Sequence, residues 1–126
     1  MLDKHIPRKH IYMVTEVIGT DDFAEWFDSL DDSDTEAVAR VVDMIEMQGP
    51  TLPFPYSSAI NGSRIALREL RIQSGGAPLR VLYAFDPVRR AVLLLGGDKT
   101  GDKRFYDRLV PRAEQIFAQY LKEIGK

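Results

Sequence analysis

Cysteine is absent from the 126 residues. That one absence excludes disulfides, thiolate zinc sites, iron–sulfur clusters and cysteine nucleophiles, and it suits a reducing compartment. Histidine is scarce as well: only His5 and His10 occur, both at the start of the chain. A histidine-built metal centre or a serine–histidine triad is therefore not expected, and no cofactor is called for. No apolar run approaches the roughly 20 residues that span a bilayer, so no membrane association is expected. The opening MLDKHIPRKH has no apolar stretch of the signal-peptide kind, and a cytoplasmic location follows as the expectation. Neither a P-loop pattern nor a Rossmann glycine pattern occurs, and there is no internal repeat or low-complexity segment.

What remains is the composition of a globular domain, 44% hydrophobic and 29% charged. The length allows one core, so a single domain over residues 1–126 is expected. The net charge of −2 hides an asymmetry. Residues 1–48 hold 4 Lys/Arg against 12 Asp/Glu, a balance of −8. Residues 49–126 hold 13 against 7, a balance of +6. A cationic half is a footprint for a polyanion, although the acidic pI of about 5.7 argues the other way.

Periodicity sets out the elements. HIYMVTEVI (10–18) is rich in β-branched and aromatic residues and reads as a strand. Gly19-Thr20-Asp21-Asp22 breaks it, and Thr20 or Asp21 is positioned to cap a helix. Phe23, Trp26, Phe27 and Leu30 then recur at i, i+3, i+4, i+7, one apolar helix face. A second helix is expected from Ser33, with Ser33 and Glu36 as a capping box and Val38, Val41, Val42 and Ile45 as the stripe. Gly49-Pro50 stops it. PTLPFPY (50–56) holds three prolines and reads as an extended loop into SSAINGSR. IALRELRI (65–72) and LRVLYAF (79–85) read as strands joined by the turn QSGGAP. AVLLLG (91–96) is a continuous apolar run, a strand covered on both faces. A glycine-rich loop follows. The terminal helix carries Ala113, Ile116, Phe117, Tyr120, Leu121 and Ile124 as its stripe, and Pro111 has to lie in its first turn or mark a kink. The fold class expected is α+β, in the order β-α-α-β-β-β-α, with a mostly antiparallel sheet and the helices on one face.

Supposing that Arg71 pairs with Arg80 across the hairpin, Leu67, Glu69, Arg71, Arg80, Leu82 and Ala84 fall on one side of the sheet. Arg68, Leu70, Ile72, Leu79, Val81 and Tyr83 then face the other. A shift by one residue would put the two arginines on opposite faces. Two arginines directly opposite repel unless an anion sits between them. Glu69 is one candidate, giving a structural ion pair; a phosphate is the other, since guanidinium forks bind phosphate oxygens in pairs. The loop after the last strand adds Lys99, Lys103, Arg104 and Arg108. Its Gly96, Gly97 and Gly101 either let backbone amides approach an anion or simply make a surface turn.

At ELRI, RVLY and LLLGGDKTGDKRFY the chain resembles the RelE/HigB toxins of type II toxin–antitoxin systems, in particular the HigB-like, phage-derived Gp49-like branch. The motifs that carry the resemblance are Leu70-Arg71, Arg80 to Tyr83, and the basic loop from Lys99. The resemblance implies a RelE-like fold. It also implies a metal-independent mRNA endonuclease that inhibits translation, often on the ribosome, through attack of a ribose 2′-OH on the adjacent phosphate. Carried over, Arg71 and Arg80 would bind the scissile phosphate, Lys99 would neutralise charge or help move a proton, and Tyr106 would stack on a base or handle the 2′-OH proton. Stacking is favoured, because little near Tyr106 in the sequence lowers a tyrosine pKa. Arg64, Arg68, Lys103 and Arg104 would contact RNA. The partners implied are a helix-turn-helix antitoxin, mRNA and the ribosome. The chain departs from the pattern at Leu67 and Glu69, where some RelE toxins carry lysines, and at Thr100, which replaces a basic residue. The general base is left unassigned. The alternative is a non-catalytic protein on the same fold: a gyrase inhibitor of the ParE type, or a degenerate toxin that only binds its antitoxin.

Overall fold

A computed structural model describes residues 14–125. His5, His10 and the first part of the expected 10–18 strand lie outside the described residues. The elements are β1 (Val17–Gly19), α1 (Asp21–Asp28), α2 (Asp32–Gln48), a 3-10 turn (Gly49–Thr51), β2 (Ser57–Ala59), β3 (Arg68–Ser74), β4 (Ala77–Phe85), β5 (Ala91–Asp98) and α3 (Phe105–Glu123). The five strands form one sheet in the order β1-β5-β4-β3-β2. β1 runs parallel to β5; every other pair is antiparallel. The α+β class is as expected. β2 is an additional strand within the SSAINGSR stretch, too short to show an alternation of its own.

Thr20 caps α1 by accepting the Phe23 N–H at 3.2 Å. Its hydroxyl also donates to the Leu94 carbonyl at 2.7 Å, pinning the helix to β5. The expected capping box of α2 is not used. Asp31 caps instead, accepting the Asp34 N–H at 2.8 Å, and the helix starts earlier than expected. A carboxylate two residues upstream is an equally good acceptor for free helix N–H groups. Pro111 falls inside α3, beyond its first turn.

The expectation that the helices share one face is corrected. α1 and α2 cover the face of Leu70, Ile72, Leu79, Val81, Tyr83 and Leu93. α3 covers the opposite face, packing Phe105, Leu109, Ala113, Ile116 and Phe117 on Leu67, Leu82, Ala84, Val92 and Leu94. The reason lies in β4 and β5, whose middle residues are buried on both sides. Two apolar faces each need a cover. No helix among the described residues is long and apolar enough to cross a membrane.

Gly96 and Gly97 belong to β5 and do not form an anion-binding turn. A Cβ on Gly96 would stand 2.3 Å from Cε3 of Trp26, and one on Gly97 would stand 2.9 Å from Cε1 of Phe105. They are glycines because rings from α1 and α3 lie directly on the strand, one on each face. Only Gly101, at φ +63°, sits in the turn proper.

Candidate functional site

The β3–β4 hairpin closes on Gly75-Gly76 with Arg71 paired to Arg80, Glu69 to Leu82, Leu70 to Val81 and Arg68 to Tyr83. Of the two registers open from the sequence, this is the one with the arginines opposed. Both glycines have positive φ, which a two-residue hairpin turn of this kind requires. Alternation then puts Glu69, Arg71 and Arg80 on the α3 face, beside the first turn of that helix.

Glu69 is the centre of the cluster and only 5% exposed. Its Oε1 accepts the Tyr106 hydroxyl at 2.6 Å and lies 3.6 Å from Arg80 Nε. Its Oε2 accepts Ser58 Oγ at 2.9 Å and Arg71 Nη1 at 3.3 Å. Of the two ways to hold two opposed arginines, the structure therefore shows the carboxylate. Arg80 is as buried as Glu69. Its Nη1 donates to the Leu79 carbonyl at 3.1 Å, while its Nε has no hydrogen-bond partner among the described residues. A buried guanidinium donor without a partner is uncommon.

Lys99 and Tyr106 close the cluster from the other side. The Lys99 N–H donates to the Pro78 carbonyl at 2.9 Å, anchoring the loop to the start of β4. Its Nζ lies 5.5 Å from the centroid of the Tyr106 ring, a cation–π distance. Phe105 is buried under α3, whereas Tyr106 stands edge-on to it and reaches Glu69. Burial, and then the Glu69 carboxylate, push the Tyr106 hydroxyl above its ordinary pKa. The ring is thus a neutral donor, with no tendency to ionise near neutrality. Thr100 bonds Asp98 and so shapes the loop: its N–H donates to Asp98 Oδ1 at 2.9 Å.

The remaining sequence candidates are spread out. Lys103 and Arg104 are exposed where the loop enters α3, next to the cluster, and pair with no described acid. Arg64 is tied to Glu114 of α3 at 3.2 Å and lies away from Glu69. Arg68 points to the opposite face, where it donates to Ser57 Oγ at 3.1 Å near the buried Tyr83 hydroxyl. Tyr83 of the Arg80-to-Tyr83 motif belongs to the α1–α2 core. Ser58 was missed altogether. Its loop-like surroundings gave no sign that it faces Glu69 across β2 and β3.

Residues 25–118 match the family described as "Phage derived protein Gp49-like (DUF891)". The chain is 45% identical over 98 residues to "Putative toxin HigB3" of Mycobacterium tuberculosis, covering 76% of this chain and 84% of that protein. It is 36% identical over 101 residues to "Putative toxin HigB2" of the same organism, covering 78% of this chain and 50% of that longer protein. No solved structure matches the chain significantly. The family match takes in α2, the whole Glu69 cluster and most of α3, and the chain belongs to the phage-derived Gp49-like family of HigB-like toxins.

Proposed function

We propose that the protein is the toxin of a type II toxin–antitoxin pair and cleaves mRNA on translating ribosomes without a metal. The observation that carries the reading is the cluster of Arg71, Arg80 and Lys99 around one carboxylate and one tyrosine. Its formal charge is positive, and it stands at the N-terminal end of α3, where the helix dipole is itself positive. Such a place attracts a phosphate and repels a divalent cation.

In this mechanism the ribose 2′-oxygen attacks the adjacent phosphorus and the 5′-oxygen of the next nucleotide leaves. Products carry a 2′,3′-cyclic phosphate and a 5′-hydroxyl. Arg71 and Arg80 hold the non-bridging oxygens and stabilise the extra charge of the transition state. The 2′-OH proton passes to Tyr106 Oη while the tyrosine's own proton moves to Glu69 Oε1. Lys99 adds positive charge beside the phosphate, and water supplies the proton that the 5′-oxygen takes up as it leaves. The antitoxin is a helix-turn-helix protein that covers the toxin until it is released.

The test is a reconstituted translation reaction with purified protein. Message cleavage, unchanged by EDTA in controls that keep ribosomes intact, supports the reading when the new ends are 5′-hydroxyls. Ends with a 5′-phosphate indicate attack by water and sink it. A second reading, a non-catalytic toxin relative, draws on the fact that Glu69 already neutralises part of the arginine charge. Binding to the antitoxin with no message cleavage favours that second reading, and gyrase inhibition without cleavage favours its ParE-like form.

A further inference from the structure

The loop between the 3-10 turn and β2 leaves two rings in solvent. Phe54 is 68% exposed and Tyr56 40%, and neither belongs to the core on either face of the sheet. Single exposed rings are ordinary. Both residues contact Arg71, Phe54 through its ring and Tyr56 through its backbone carbonyl. Arg71 Cζ lies 5.1 Å from the Phe54 centroid, and the Arg71 N–H donates to the Tyr56 carbonyl at 2.8 Å.

Beside them is a cavity of about 460 Å³, whose lining includes Arg40, Met44, Tyr56, Ile72, Arg71 and Arg80. Every charged residue in its wall is an arginine. Arg40 is exposed and pairs with no described acid. Arg80 is also in the wall, although its unpartnered Nε lies toward Glu69 on the α3 face. The cavity reaches the part of β3 that β2 does not cover, since β2 pairs only with Arg68–Leu70.

We infer that this cavity, with Phe54 and Tyr56, is a nucleobase subsite for the single-stranded RNA adjoining the scissile phosphate. The inference rests on the nuclease reading and adds which part of the substrate is held there. Arg71 links the two places, because its guanidinium touches both Glu69 and the Phe54 ring. A strand with its phosphate at Arg71 brings a neighbouring base within reach of Phe54. Aromatic stacking accepts any base, so the subsite gives affinity with little base preference. An exposed aromatic pair also suits a protein partner, but a wall whose charges are all positive fits a polyanion better.

The experiment uses the full chain and two fluorescein-labelled single strands of equal length, neither cleavable. One is RNA with 2′-O-methyl riboses; the other has the same backbone without bases. Wild type is expected to bind the first more tightly. Phe54→Ala and Tyr56→Ala should each weaken that binding about 5- to 150-fold, the range for one lost stack, with little change on the abasic strand. Phe54→Trp should retain binding, and melting temperatures should not move, since both rings are exposed. Equal wild-type binding to both strands overturns the subsite, as does wild-type affinity in both alanine variants. If the variants hold RNA normally but lose a co-expressed helix-turn-helix antitoxin, the surface is a protein interface and the inference also falls. Message cleavage by wild type in the translation reaction is a separate readout, so the nuclease reading stands or falls apart from these rings.

Discussion

Tyr106 donates its hydroxyl proton to Glu69 across 2.6 Å, joining the first turn of α3 to β3. One hydrogen bond thus couples a ring beside the basic loop to the carboxylate between the two arginines. Because burial and Glu69 raise the tyrosine pKa, any proton it takes from a 2′-OH has to be matched by one passed to Glu69.

Substitution separates the relay from stacking. Tyr106→Phe keeps the ring and removes the proton path, and should slow cleavage about 100-fold or more. Glu69→Gln should slow it comparably. Single-turnover cleavage rates check this. If Tyr106→Phe is nearly as fast as wild type while Tyr106→Ala is about 5- to 150-fold slower, the ring only stacks.

Arg80 is a buried charge paired with a buried carboxylate. Its side chain and that of Glu69 are each 6% exposed, so Arg80→Ala leaves the buried carboxylate with Arg71 as its remaining cation and should cost about 1–3 kcal/mol of stability. Pairing Arg80→Met with Glu69→Gln removes both charges and should recover most of that loss while remaining inactive. Urea midpoints for wild type and the two variants decide. An Arg80→Ala midpoint equal to wild type would mean that the pair contributes nothing to the fold.

Gly96→Ala should destabilise by about 1–3 kcal/mol through overpacking, since its Cβ would meet the Trp26 ring. Trp26 is the sole tryptophan, so its emission reports the displacement directly. Unchanged emission and melting temperature would show that the ring moves aside freely.

Stability should fall at both ends of the pH scale through one buried cluster. Tyr120 donates to Asp86 at 2.7 Å, and Arg90 Nε donates to the same oxygen at 2.7 Å. Burial and Asp86 push Tyr120 up to about 12. Its contribution is complete below the unfolded value of about 10 and is lost as pH rises toward 12. Burial works against Asp86 ionising, but the Arg90 N–H, the Tyr120 hydroxyl and the Arg90 side chain outweigh it and hold Asp86 below its ordinary pKa. Its contribution is present above about pH 4 and is lost as pH falls further. Urea unfolding across pH should show both slopes. A Tyr120→Phe variant with the wild-type slope above pH 10 would rule out this source.

The stripes of α1, α2 and α3 and, once Arg71 is supposed to pair with Arg80, the two faces of β3 and β4 were legible in the amino-acid order; that Arg71, Arg80, Lys99 and Tyr106 share a site came only from the resemblance. Alternation with period 2 and helical spacing of 3.6 are local properties. What met Arg71 and Arg80 was not legible, because Glu69, Ser58 and Tyr106 come together from β3, β2 and α3. Neither was the choice of cap for α2, since Asp31 and Ser33 are both competent acceptors. The glycines of β5 carry no mark in the sequence of the rings that lie on them. Trp26 and Phe105 arrive from opposite faces only after two apolar sheet surfaces have each found a helix. Local periodicity decided which way each side chain points; the tertiary path of the chain decided what it meets, and with that whether a buried charge is a pair, a base or both.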